Sequence, residues 1–197
     1  MTDPLVDFIS HVASGDDARA EHTVRRVALF YNQQPEQVSK SLDSLLNSPL
    51  ADDRWWALRV WAEIPGIQAQ TRLVAGLKDS ASAVRQCSAL GLRYQPDPGF
   101  IANLIEALSD TDDLVVQLAG DALIALGAEA VPVLLDVIKN DSNKARLEAV
   151  RTLATIGDER SIPALFSMLD DDSLWIEYWA NLGLEKMGVG MSFFLPD

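Results

Sequence analysis

The feature that most constrains this chain is a period of thirty to thirty-one residues. Leu46, Leu77, Leu108, Ile138 and Leu169 stand in register at spacings of 31, 31, 30 and 31. A second series runs four residues ahead of the first, through Leu42, Leu73, Leu104, Leu134 and Leu165. Apolar residues at i and i+4 share one face of an α-helix, so each period predicts a helix with one stripe turned inward. A unit this short cannot bury that stripe by itself, and the units must therefore stack into an array.

A second helix is predicted ahead of each of these. The pattern is clearest over 115–127 and 145–157, where small and apolar residues recur at helical spacing up to Gly127 and Gly157. Glycine accepts the positive φ that closes a helix C-terminus. Pro132 and Pro163 fall in the first turn of the helix that follows, where a missing N–H costs no ladder bond. In the same frame Asp53, Val84, Val115, Ala145 and Ile176 mark equivalent helix starts, giving five units and a weaker one from about His22. Arg54, Arg85 and Arg146 come one residue later, and Asp52, Asp112, Asp141 and Asp172 lie in the turns just before. These acids are expected to cap helix N-termini, and the arginines to bridge adjacent repeats.

The register also sorts side chains by direction. Trp61 aligns with Leu92, Leu123 and Leu153, an inward position, and is expected in the core. Trp55 aligns with Gln86, Gln117, Leu147 and Tyr178, about 140° away at 100° per residue, and should point outward. Trp56 and Trp179 occupy the flank between neighbouring helices, where packing is the expectation. For Trp55 and Tyr178 a partner contact competes with cover by the N-terminal helix or the C-terminal tail. On the second helices Leu45, Gly76, Ala107, Val137 and Met168 form one apolar stripe, with Ser44, Ala75, Glu106, Asp136 and Ser167 beside it. Close helix packing through small residues is one reading. The other is an acidic-edged groove, flanked by Glu106 and Asp136, that accepts a basic or amphipathic helical segment of a partner.

Composition narrows the function classes. Sixteen Lys and Arg against twenty-nine Asp and Glu leave a net charge of −13, which repels a phosphate backbone and argues against nucleic acid as partner. An apolar fraction of 48% with 23% charged residues is that of a folded chain, and the absence of a long apolar run argues against membrane insertion. The lone Cys87 and a start without signal-peptide features suit a reducing cytoplasm. His11 and His22 belong to no ligand spacing, Cys87 reads as a buried thiol, and no phosphate loop or nucleophile elbow is present. No catalytic residue, cofactor or metal is predicted.

The frame of (Val/Ala)-Arg-x-x-(Ala/Cys/Leu), a closing Gly, and then Val-Pro-Val-Leu at 131–134 or Ile-Pro-Ala-Leu at 162–165 resembles HEAT-like repeats of the phycobilisome-lyase type. The resemblance covers 50–188 clearly and 20–48 weakly. It implies an all-α fold, a right-handed α-α superhelix of about six helix pairs forming one solenoid over 1–197. Its parts are an N-terminal capping helix at 1–16, a weak repeat at 17–48, clear repeats at 49–188 and an apolar tail at 189–197. Asp3 is expected as the N-cap of the first helix, with Pro4 at its first position. The tail carries Met191, Phe193, Phe194 and Leu195 and reads either as a lid or as a docking peptide. Most proteins of this type are scaffolds and adaptors, which implies a protein-binding module using Trp55, Tyr178, Glu106, Asp136, Met168, Phe193 and Phe194. A minority attach or detach bilin chromophores, which makes a bilin lyase or chaperone the alternative.

Overall fold

The computed structural model describes residues 3–140 and 143–189. Every regular element among the described residues is helical, as the period predicts. The chain forms two compact units, Met1–Gln95 and Pro96–Asp197.

The first unit holds α1 (Pro4–Ser14), α2 (Asp17–Tyr31), α3 (Pro35–Leu46), α4 (Ala51–Trp61), α5 (Ile67–Gly76) and α6 (Ser82–Tyr94). α1 starts where the sequence places it: the Asp3 carboxylate accepts the Leu5 amide at 2.9 Å and Pro4 opens the helix. Each helix packs on the next, and α4 also packs on α2 and α6. That alternating contact is what a stack of helical hairpins requires, because each apolar stripe finds its cover on a neighbouring hairpin. The core runs through Phe8, Val24, Val38, Leu42, Val60 and Trp61.

The second unit opens with a 3-10 turn at Pro98–Phe100. It continues through α7 (Ile101–Ala107), α8 (Asp113–Leu126), α9 (Val131–Asn140), α10 (Asn143–Ile156), α11 (Ile162–Ser167) and α12 (Leu174–Lys186). α10 packs on α8 and α12, and α7 on α9. In chain order α2 with α3 and α4 with α5 follow the register within the first unit, and α8 with α9 and α10 with α11 follow it within the second. No helix among the described residues is long and apolar enough to cross a membrane.

The periodic positions are where the energy lies. Leu42, Leu73, Leu104, Leu134 and Leu165 are all 2% exposed or less. Trp61, Leu92, Leu123 and Leu153 match them on the preceding helices. Each such side chain contributes about 1.5–3 kcal/mol by leaving water. Gly127 and Gly157 close their helices at φ 63° and 70°. Gly76 permits a close helix approach, since a methyl group there would stand 2.2 Å from Ser88 Oγ and 2.7 Å from Leu58 Cδ1.

The acids and arginines divide their work differently from the expectation. Asp112 does cap α8, accepting the Leu114 and Val115 amides at 3.0 Å each. Asp52 lies inside the first turn of α4 and makes no such bond, and Asp141 is outside the described residues. Bridging falls to acids just past the second helix that follows, Asp79 after α5 and Asp171 after α11. Arg54 grips Asp79 at 2.7 and 2.8 Å, and Arg146 reaches Asp171, in each case 25 residues on. Both acids also fold their own turns by accepting the amide two residues ahead, Ala81 at 2.8 Å and Ser173 at 2.9 Å. Asp79 is held below the usual carboxylate range chiefly by its hydrogen bond from Arg54.

Candidate interaction surfaces

Aromatic side chains gather on the first helices of both units, at positions set by the helical register. In the first unit Trp56 is buried, edge-on to Phe8 at 6.3 Å. Trp55 stands edge-on to Trp56 at 4.8 Å and is half-buried against the core rather than fully outward. The cause is the crowding of α4 between α2 and α6, which leaves even its far side partly covered. In the second unit Tyr178 does point outward. It stacks edge-on with Trp175 at 6.0 Å and with Trp179 at 5.4 Å, and Trp179 is half-buried as its flank position requires. Leu174, Trp175 and Tyr178 are 80%, 64% and 52% exposed, so the start of α12 presents a continuous apolar surface.

Trp175 had not been singled out from sequence, although a signal existed. Its equivalents one period apart are Asp52, Ala83, Leu114 and Lys144, and a tryptophan is out of place in that series. Together with Trp179, Val116 and Leu147 it walls a recess of about 430 Å³. At its polar side Arg151 donates to Glu148 and, at 2.8 Å, to Asp121. Burial pushes the Glu148 carboxyl up, and the hydrogen bond from Arg151 acts against that. Gly120 makes room for this carboxylate: a methyl group there would lie 1.9 Å from Glu148 Oε1.

On the second helices Ser44, Ala75, Glu106, Asp136 and Ser167 are exposed beside the apolar stripe, as the register predicts. Glu106 and Asp136 each already interact within the protein. Met168 is half-buried in a recess of about 350 Å³ between α9 and α11, with Leu135, Ile138 and Pro163 as its floor. The charged side chains lining that recess are Lys139 and Arg160, so an acidic edge does not extend to Met168. Phe193 and Phe194 lie outside the described residues.

Among the described residues no three His, Cys, Asp or Glu side chains converge as metal ligands. The Cys87 thiol is buried on α6, 3.8 Å from the Trp55 carbonyl, and burial pushes its pKa up to about 12. A thiol so shifted is a poor nucleophile at neutral pH.

These features define an α-helical repeat protein. More narrowly, residues 101–185 match the family model for HEAT repeats. Over 74 residues the chain is 40% identical to the phycocyanobilin lyase subunit beta of Pseudanabaena tenuis (strain PCC 7409), a match that covers 38% of this chain and about a quarter (26%) of that protein. Among solved structures, the complex of CpcE and CpcF of phycocyanin lyase from Nostoc sp. PCC7120 aligns at TM-score 0.51 and 16% identity, covering 95% of this chain and 78% of that one. An engineered protein aligns at TM-score 0.52 and 21% identity, covering 96% of this chain and 100% of the other. These structural likenesses establish the fold. HEAT-type repeats are thus matched over 101–185, and part of the chain is similar to a lyase subunit.

Proposed function

We propose that this chain is a non-catalytic protein-interaction module, a scaffold, adaptor or assembly factor that reads a protein partner along one repeat array spanning 1–197. The observation that carries the reading is the bare aromatic surface at the start of α12, where Leu174, Trp175 and Tyr178 stay exposed although large aromatics ordinarily seek cover. Tyrosine and tryptophan are the side chains most enriched where binding energy concentrates. Trp55, Tyr178, Glu106, Asp136 and Met168 are the candidate contacts, joined by Phe193 and Phe194 in the tail. A net charge of −13 favours a partner with a basic or amphipathic helical segment and a cytoplasmic setting is consistent with the lone cysteine.

The test is affinity capture from cells of the source organism with the wild-type chain and with a Trp175→Ala/Tyr178→Ala variant of unchanged helical content. Partners captured by the first and lost by the second support the reading. An identical set with both, or none with either, overturns it.

The 74-residue similarity to a phycocyanobilin lyase subunit favours a second reading, a bilin lyase or chaperone. Mixing the protein with a bilin and recording the absorption spectrum separates the two. A bound, shifted band supports the second reading, and an unaltered spectrum removes it.

A further inference from the structure

The first unit contains a recess of about 540 Å³ bounded by Asp17 and Glu21 on α2 and by Asp52, Trp55 and Trp56 on α4. Its lining holds three carboxylates and two indoles, and no cation. Its remaining lining residues, Ala18 on α2 and Ala83 on α6, are small and exposed, which leaves the recess open. Helical spacing makes the groups converge: Asp17 and Glu21 are i and i+4 on α2, and Asp52 and Trp55 are i and i+3 on α4, so each pair shares a face. Glu21 is engaged by Arg59 at 2.6 Å, but Asp17 and Asp52 make no ion pair or side-chain hydrogen bond among the described residues.

Position in a first helical turn accounts for an acid at 17 and at 52, since each favours the positive end of its helix dipole. It does not account for a half-buried tryptophan between them. The same unit shows what such a combination holds when it is filled. The Arg72 guanidinium lies 4.2 Å above the centre of the Trp61 ring and donates twice to the Asp43 carboxylate, at 2.6 and 2.7 Å. There a planar cation lies with its face on an indole and its edge in a carboxylate fork. The Trp55 recess offers the same two components without the arginine.

We infer that the recess formed by Asp17, Asp52 and Trp55 receives an arginine side chain from a partner protein, its guanidinium lying against the Trp55 ring and bonding the two free carboxylates. The inference rests on the protein-binding reading and supplies the chemistry of the contact. Arginine is favoured over lysine because its flat guanidinium stacks on the ring and donates to two carboxylates at once. An acidic or neutral segment gains nothing from three carboxylates at the rim.

The test uses the full chain and two acetylated, amidated octapeptides, one alternating alanine with arginine and one alternating alanine with citrulline, which keeps the shape and removes the charge. Binding is read by calorimetry and by Trp fluorescence, with Trp55→Phe to assign the signal. The arginine peptide is expected to bind saturably and more weakly as salt rises, and the citrulline peptide about tenfold more weakly or not at all. In Asp17→Asn/Asp52→Asn, whose changes touch two exposed side chains that make no ion pair or side-chain hydrogen bond among the described residues, arginine-peptide affinity should fall about tenfold while helical content holds. Equal affinity of the double variant and the wild type, or of the two peptides, overturns the inference. So does absence of arginine-peptide binding. Captured partners lost in the Trp175→Ala/Tyr178→Ala variant but retained in Asp17→Asn/Asp52→Asn would sink the arginine site and leave the interaction module standing.

Discussion

At Gly120 one absent methyl group decides where a charge can go. The Glu148 carboxylate occupies the space a Cβ would fill, and from there it meets Arg151, which also holds Asp121. Gly120→Ala should therefore push the Glu148 and Arg151 side-chain ends aside, and the loss of their ion pair should cancel, in urea denaturation, the ~1 kcal/mol that alanine otherwise gains over glycine inside a helix. In a Glu148→Ala background that gain should reappear, a non-additivity that a purely helix-propensity effect would lack. The thiol of Cys87 gives a second residue-scale expectation. With its pKa raised to about 12, it stays protonated at neutral pH and should resist a thiol reagent at about pH 8 until the chain is unfolded. Rapid labelling of the native protein would contradict that. Directions of side chains were legible wherever one helix face decides the matter: Trp61 aligned with three leucines and is buried with them. The half-burial of Trp55 was not legible, because it depends on how closely α2 and α6 flank α4, which the spacing of residues within α4 does not encode.

At the scale of elements, the arginine bridges join the start of a first helix to the turn at the far side of its hairpin. Asp79 has its pKa depressed by the hydrogen bond from Arg54, so the unfolded chain binds its proton more readily than the native one. The stabilisation is then fully present above the usual carboxylate range and disappears as pH falls through the depressed value. Arg54→Ala should lower the urea midpoint at neutral pH, and the gap from wild type should close as the solution is acidified. A gap that stays constant into acid would show that the arginine acts by packing alone. Sequence had pointed to Arg54 and Arg146 among the arginines and to Asp112 as a cap, but not to Asp79 and Asp171 as the bridging acids. Capping acids and bridging acids occupy the same short turn, and what separates them is a shift of one to three residues in where the turn folds. The C-terminal limits of second helices blurred for a related reason. Leu77, Leu108 and Leu169 keep the period but lie just past their helices, where the last turn tightens.

For the whole molecule, charge is the property with the widest reach. A chain at −13 attracts a basic partner over distances set by ionic strength, so association with such a partner should slow as salt is raised from low to physiological levels. Salt-independent association rates, measured by stopped-flow with the partner once captured, would point to a contact dominated by apolar surface. Repeat architecture was legible because one pattern is written several times over, and chance does not repeat at a fixed interval. The candidate surfaces were legible only in part. A repeat position tells which residues face away from the core, but a recess such as the one beside Trp55 arises where small side chains such as Ala83 meet large ones on another helix.

Each Arg-to-Asp fastening closes over 25 residues, which is shorter than the period itself. A copied or excised block of one period therefore travels with its own clasp already fitted. Arrays of this kind can grow or shrink in whole modules during evolution, or at an engineer's bench, without a new bond having to be devised at the seam.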